Sequence, residues 1–536
     1  MTRLAAALRA LALAGLIGAL FGAVEGLLAE PLPGEPWAER LGGLVLLDAV
    51  LLGVPLGLLL AAVAAFRSPR PARPGLTLAA FGILLGLLGS GGWRLATVLA
   101  ELDVDRLQAW HLERPLPILR AQDEVRPVVL ITVDTLRADR VAQMPRLSTW
   151  AAQGAWFTHA RTPSPWTLPA LATLHSGLPA GVHRAGRRVL DRPVHVRTGL
   201  DDVPLLAERL RQQGYVTAAV ITNPYAGARY GFNRGFDRFH DLTHRTLRQR
   251  ALRRGVLLRG LVPPAGDTAD RVTDRALTLL ERGGQGRLFA WVHYLDAHAP
   301  YAEVPDGFDP YGPCALPTCF DDWKAIRAGF FAPGPDERAF VRGLYDADVA
   351  WLDRQLGRLL DGLEAQGLMD QALVVLVGDH GEELWDHGGG EHGATFHDEV
   401  VRVPLLVWGP GVTPGQDSRE VGLRAVHQAL ESWTVDGDLG PLAPGVPASP
   451  VPLVSRLFGP EAAGCVHLGH KRVVEADGTV RVFDLTADPL ERAALNTVPA
   501  GLAEALAACT PAPLEVAEGV AGVEDAAVLQ ALGYVE

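Results

Sequence analysis

The run Ala372-Leu-Val-Val-Leu-Val-Gly378 is apolar, rich in valine, closed by glycine and followed at once by Asp379 and His380. A short run of this kind predicts a buried strand. In an open α/β sheet, side chains just beyond the carboxyl ends of strands face the ligand crevice. Asp beside His there offers one hard oxygen and one borderline nitrogen. That pair suits Zn²⁺ or Mn²⁺, and suits an all-oxygen Ca²⁺ site less. Taken alone, the same two residues would also serve as a capping carboxylate and a solvated imidazole.

The same pattern recurs along the chain. Arg126-Pro-Val-Val-Leu-Ile-Thr-Val133 is a second apolar run that ends in an acid, Asp134, followed by Thr135. Val216 to Thr222, Leu288 to Tyr294 and Pro404 to Trp408 also read as strands, with helical patterns near Leu205–Gln213, Thr268–Glu281 and Arg338–Leu363 between them. That alternation predicts a doubly wound, mostly parallel α/β sheet. From about Thr413 the chain is richer in Pro and Gly. It holds one hairpin candidate, Lys471 to Phe483, turning at Asp477-Gly478. The expected organisation is therefore a catalytic α/β domain over residues 126–412 and a small C-terminal α+β subdomain over 413–536.

The front of the chain differs in kind. Leu4 to Leu28, Leu41 to Phe66 and Leu76 to Leu99 are apolar and each long enough to cross the ~30 Å hydrocarbon layer as a helix. A cleaved signal peptide accounts for the first segment but not for the other two. Residues 1–98 are thus expected to be a membrane anchor of three transmembrane helices, with 99–125 as a connector. Arg3 and Arg9 lie at the first span, and Arg67, Arg70 and Arg73 crowd the loop between the second and third, whereas the first loop is acidic. The positive-inside rule puts the N-terminus in the cytoplasm and all that follows the third span outside it, at a bacterial-type inner or plasma membrane. Glu25 and Asp48 fall within the apolar segments, as interfacial or helix-paired residues or as parts of an ion path. The net charge of −12, with no basic stripe, argues against nucleic acid as a partner. Cys314 and Cys319 bracket four residues and would suit a small disulfide in an oxidising compartment; as free thiols they would mean nothing.

A further stretch, Thr162-Pro-Ser-Pro-Trp-Thr167-Leu-Pro-Ala-Leu171, places a hydroxyl at the start of a helical pattern, with Pro169 in its first turn. Free N–H groups and partial positive charge at a helix N-terminus favour an anion nearby. A metal on that hydroxyl would make it a nucleophile; without one, Thr167 is an N-cap. Together, Val133-Asp134-Thr-Leu-Arg-Ala-Asp139, Thr167-Leu-Pro…Ser176-Gly-Leu-Pro, Asn223…Gly235-Phe-Asp237, His293-Tyr-Leu-Asp-Ala-His298-Ala-Pro-Tyr301, Asp346…Leu352-Asp353 and Asp379-His-Gly-Glu resemble the sulfatase-like branch of the alkaline phosphatase superfamily. The resemblance runs from about Arg126 to the C-terminal Leu532-Gly-Tyr, about three quarters of the chain.

The resemblance implies Asp134, Asp379 and His380 as metal ligands, Thr135 at the place of a second ligand, and Thr167 as the nucleophile, itself touching the metal. It implies that His298 contacts the transferred group or protonates the leaving oxygen. His392 falls where members carry a Lys or His near the substrate anion, with His387 as its rival and Asn223 as a further substrate contact. At least one divalent ion, Zn, Mn or Ca, is implied as cofactor. The chain departs from the sulfatase pattern at one place above all. Where sulfatases carry an oxidisable Cys or Ser and then an Arg, it has Thr167 and Leu171, and neither of its two lysines, Lys324 and Lys471, falls in the motifs. A formylglycine mechanism is not expected. The resemblance implies a hydrolase or transferase acting on a phosphate or sulfate ester, and the three membrane helices favour a lipid-linked or envelope-derived substrate, though tethering alone would also explain them. The alternative is a catalytically inactive membrane scaffold, with Leu171 as its support.

Overall fold

A computed structural model of the chain describes residues 126–186, 199–243 without 201, 268–299 without 284–285, 301, 333–454, 457 and 461–512. The three expected membrane spans and the Cys314–Cys319 pair lie outside these residues. Among the described residues, no helix is long and apolar enough to cross a membrane.

The centre is an eight-stranded mixed sheet. Its strands are β1 (Val128–Val133), β2 (Ala155–Arg161), β3 (Val216–Ile221), β4 (Arg238–Asp241), β5 (Leu288–Tyr294), β6 (Leu373–Gly378), β9 (Leu405–Trp408) and β10 (Gly415–Gly422), in the order β10-β2-β9-β6-β1-β5-β3-β4. A two-residue pair, β7 (Glu383–Leu384) with β8 (Gly390–Glu391), stands outside it. From β6 to β4 every neighbour is parallel, with Val133 opposite both Tyr294 and Gly378. β9 runs antiparallel to both β6 and β2, a reversal that the local pattern of Pro404 to Trp408 does not carry. The central runs β1, β3, β5 and β6 are buried on both faces, as their unbroken apolar composition requires.

Helices cover each face. α1 (Pro145–Ala151), α4 (Thr268–Gly283) and α5 (Pro335–Ala365) pack with Val129, Ile131, Val133, Ala290, Val374 and Leu376 in one core. On the other face α2 (Thr167–Ser176), α3 (Leu206–Gln212) and α6 (Leu423–Asp436) pack together, with His175 of α2 against Trp291 of β5. Because β10 belongs to the large sheet and α6 to its helical layer, the main domain continues past the expected boundary at residue 412. β11 (Val451–Val454), β12 (Ala463–His467), β13 (His470–Val474) and β14 (Val480–Asp484) then form an antiparallel sheet. The β13–β14 connection is the hairpin expected at Asp477-Gly478, where Gly478 has φ +84°. α7 (Ala500–Cys509) is tied to β12 by a Cys465–Cys509 disulfide, a pairing that cysteine spacing did not indicate.

Candidate active site

Parallel pairing places the carboxyl ends of β1, β3, β5 and β6 at one edge of the sheet, and the polar residues that follow each strand converge there. Asp134 follows β1, and its N–H donates to the Tyr294 carbonyl at 2.9 Å. Asp379 and His380 follow β6, with Asp379 N–H donating to the Val133 carbonyl at 3.0 Å. The side chains of Asp134, Asp379 and His380 present ligand atoms all within 4.8 Å of one another, and all three are buried. His380 Nε2 lies 3.2 Å from Asp134 Oδ1 and 3.8 Å from Asp379 Oδ2. The Nδ1 of His380 faces the Gly381 carbonyl at 2.9 Å, which leaves Nε2 as the nitrogen turned to the carboxylates.

Gly381 has a steric reason to be glycine. A Cβ there would stand 2.1 Å from the Glu399 carbonyl oxygen, so the backbone after His380 can pass against residues 399–400 only without a side chain. Gly381 N–H and Glu382 N–H donate to the Val400 and Glu399 carbonyls at that crossing.

Thr167 is the first residue of α2, with Trp166 rather than Thr167 at the N-cap. The hydroxyl is therefore not spent on capping its own helix. Thr167 Oγ1 lies 3.3 Å from His380 Nε2, and Asn223 Nδ2 donates to it at 3.4 Å. The same amide donates to Asp134 Oδ2, while Asn223 Oδ1 accepts from Tyr225 N–H at 2.7 Å. Asn223 thus clamps a ligand candidate to the nucleophile candidate. His298, past the end of β5, stacks edge-on with His392 at 5.0 Å between ring centroids, and His392 lies 4.4 Å from the His380 ring. His387, in contrast, is engaged elsewhere. Its Nδ1 meets Glu399 at 2.6 Å, its Nε2 meets the Leu490 carbonyl at 2.9 Å, and its ring stacks on His397.

The electrostatics of the cluster are unbalanced. Burial works to raise the Asp134 carboxyl, but His298, His380 and His293 outweigh it and hold that group below the ordinary range. Burial and the adjacent Asp134 push Asp379 well above its ordinary value. His380 is lowered by burial but raised more by Asp379 and Asp134, to about 9. Burial depresses His298 and His293 to about 4. Asp134 Oδ1, Thr135 Oγ1 and Asp379 Oδ2 are buried with no hydrogen-bond partner. A buried polar atom without a partner costs about 1–3 kcal/mol. Two unpartnered carboxylate oxygens beside one imidazole fit a divalent cation, so Asp134, Asp379 and His380 could hold a metal ion; Thr135 follows Asp134 directly in the chain.

Two neighbours were absent from the expected site. His293, on β5, is buried with Nδ1 on Thr132 Oγ1 at 2.8 Å and Nε2 4.0 Å from Asp134 Oδ2. Glu382 is buried, accepts from the Tyr301 hydroxyl at 2.8 Å and pairs with His392 Nδ1 at 3.0 Å, and burial pushes its carboxyl up to about 7. The available signal was an acid three residues past a ligand, within Asp379-His-Gly-Glu. Among the described residues no lysine enters the site: Lys471 is buried against Asp398, Glu491 and the Phe396 carbonyl.

The chain is similar to known proteins in sequence and in fold. It is 25% identical to human iduronate 2-sulfatase over 334 residues, 53% of this chain and 60% of that protein. It is 30% identical to choline-sulfatase of Rhizobium meliloti (strain 1021) over 178 residues, 30% of this chain and 34% of that protein. The chain thus spans about 60% of the length of the iduronate 2-sulfatases it matches. Among solved structures, it is similar in fold to a 2-O GAG sulfatase (TM-score 0.53, 17% identity, 72% of this chain and 90% of that one). It is also similar to the phosphonate monoester hydrolase of Agrobacterium radiobacter (TM-score 0.51, 21% identity, 69% and 91%). The sulfatase family profile matches residues 126–431, more than half of the sequence, and the chain belongs to the sulfatase family.

Proposed function

We propose that this protein is a membrane-anchored, metal-dependent hydrolase or transferase that cleaves a phosphate or sulfate ester outside the cytoplasm, with Thr167 as nucleophile. The observation that carries the reading is the Thr167 hydroxyl, buried at a helix start, 3.3 Å from His380 Nε2 in a cluster where each carboxylate keeps one oxygen without a partner. Asp134, Asp379 and His380 would hold the ion, with Thr135 beside them. Once bound, a divalent ion supplies Lewis-acid polarisation of a non-bridging oxygen and acidifies the Thr167 hydroxyl.

The protein's own groups supply the rest. Asn223 orients the Thr167 oxygen for in-line attack. Thr167 Oγ1 forms a bond to phosphorus or sulfur while the bond to the leaving oxygen breaks. The imidazole pair, His298 and His392, takes up the Thr167 proton as the new bond forms and delivers a proton to the leaving oxygen. Water or an acceptor alcohol then displaces Thr167, and the threonine recovers its proton. Without a Cys or Ser at position 167 there is no residue to become formylglycine, and without lysines among the described site residues there is little to neutralise a sulfatase-type anion site. Both features favour phosphoester over sulfoester substrates.

Anchoring by residues 1–98 favours a lipid-linked or envelope-derived substrate, and the Cys465–Cys509 disulfide supports an oxidising compartment. A reporter fused after Val98 is expected to score as extracytoplasmic; a cytoplasmic signal would reverse the topology. For the chemistry, the full-length protein is assayed against p-nitrophenyl phosphate, phosphodiester, phosphonate and sulfate esters. Turnover of at least one ester is expected, falling by about 10³-fold or more in Thr167→Ala. Equal activity in the variant would remove Thr167 from the mechanism.

A further inference from the structure

The reaction outlined above gives no task to Glu382, a buried acid three residues past Asp379. Both of its carboxylate oxygens are occupied. Oε2 accepts from the Tyr301 hydroxyl at 2.8 Å, and Oε1 faces His392 Nδ1 at 3.0 Å. When Glu382 is ionised and receives the tyrosine proton on one oxygen, it has only acceptor capacity to offer on the other, so in that state Nδ1 of His392 is the donor. That fixes the imidazole tautomer and makes Nε2 its lone-pair nitrogen.

The support behind this pair is rigid. The Glu382 N–H donates to the Glu399 carbonyl at 3.0 Å, and the Glu382 carbonyl accepts from Arg137 Nη1 at 3.1 Å. Arg137 is itself held by Asp139 and Asp386. Tyr301 is buried and packs edge-on against Tyr345 at 5.6 Å between centroids. The oriented ring ends beside the cluster, 4.4 Å from His380 and 5.0 Å from His298. Keeping a carboxylate away from water carries a desolvation cost that an apolar residue of similar size would avoid, so a purely packing role explains Glu382 poorly.

We propose that Glu382 is a positioning residue for the reaction: with Tyr301 it sets the ring orientation and tautomer of His392, so that Nε2 is presented to the ester group bound at Thr167. The inference rests on the site reading above and deepens it, because it assigns how one imidazole of that site is aimed.

The test is a double-mutant cycle on the metal-loaded full-length protein, using whichever p-nitrophenyl ester wild type cleaves. Outer-sphere partners of this kind typically contribute about 10–100-fold. Glu382→Gln is expected to lower kcat by about that factor with KM changed less than about 3-fold. In a His392→Ala background the same substitution should change kcat by less than about 2-fold, because residues acting as a unit are not additive. A kcat within about 2-fold of wild type for Glu382→Gln, or a loss undiminished in the His392→Ala background, overturns the proposal. If Glu382→Gln does not fold, Tyr301→Phe, which removes only the hydroxyl, carries the same cycle with a smaller loss expected.

A readout independent of turnover is the His392 tautomer, followed by nitrogen NMR on histidine-labelled protein. Nδ1–H is expected in wild type and its loss in Glu382→Gln; an unchanged tautomer contradicts the proposal. Thr167→Ala, run alongside, separates the two ideas. Full activity there sinks the nucleophile assignment while the tautomer measurement still decides the hold of Glu382 on His392.

Discussion

Two buried charge clusters in this protein are built from similar residues and end in opposite states. At the seam between the main sheet and the C-terminal sheet, Arg161 of β2 binds Asp398 through two nitrogens, at 3.1 and 2.8 Å. Lys471 of β13 donates to Asp398 at 2.6 Å, Glu491 at 2.9 Å and the Phe396 carbonyl at 2.8 Å. Two cations meet two anions, and each ammonium proton has an acceptor. Around Asp134, Asp379 and His380, by contrast, two carboxylates share one imidazole, and oxygens of both lack partners. The first cluster is complete as it stands and ties the two sheets together. The second leaves buried oxygens unsatisfied, and a bound cation would satisfy them. Burial and charge do not tell the two clusters apart; unpartnered carboxylate oxygens do.

The contrast can be broken most forcefully at Lys471. Lys471→Met leaves Asp398 and Glu491 buried without their shared cation, so a loss of about 3–5 kcal/mol is expected in denaturant unfolding. Ion affinity should stay unchanged. A loss below about 1 kcal/mol would mean that the seam is not a paired structural lock.

Next in size is the ion itself. Adding Mn²⁺ or Zn²⁺ to chelator-treated protein at 100 times its Kd should stabilise wild type by about 2.7 kcal/mol, and Asp379→Asn by far less. Equal stabilisation of both would place the ion elsewhere.

The smallest effect concerns pH. Asp398, although buried, is held below its ordinary value of 3.8, by Arg161 first and then Lys471, so its contribution is present above that value and fades as pH falls through it. Asp379 is raised, so in ion-free protein its contribution has the opposite sign: favourable at low pH and lost as pH rises above 3.8. Ion-free Asp379→Asn is therefore expected to exceed wild type in stability at pH 7 by on the order of 1–3 kcal/mol, with the gap closing toward pH 4. A gap that widens in acid would reverse the assigned direction.

Much of this was legible in the sequence where the signal is local. Leu288–Tyr294 is a strand over the residues expected, and the apolar run before Asp379 differs by one residue at its start. Asp134, Asp379 and His380 stood out as polar residues at the ends of apolar runs, but a strand-end acid also serves as a cap, so their reading as ligands came from the family resemblance. α5 begins at Pro335, three residues before the expected start. The usable signals were Pro335 at the first helical position and Glu337, whose carboxylate accepts from the Gly334 N–H. β2 and β10 went unread because Ala-Trp-Phe-Thr-His-Ala-Arg and Gly-Gln-Asp-Ser-Arg-Glu-Val-Gly mix polar and apolar residues, one beside the edge and the other at it. The antiparallel direction of β9, the Cys465–Cys509 pairing across 44 residues and the engagement of His387 with Glu399 are all set by tertiary neighbours. No local window contains them.

The bare backbone at Gly381 has a reach beyond its own position. It lets the segment that carries His380 lie directly on residues 399 and 400, one step from the Asp398 that Arg161 and Lys471 hold. The candidate site and the seam are therefore spliced main chain to main chain. A methyl group at that splice would push the two segments apart, displacing the backbone beside His380 on one side and beside Asp398 on the other.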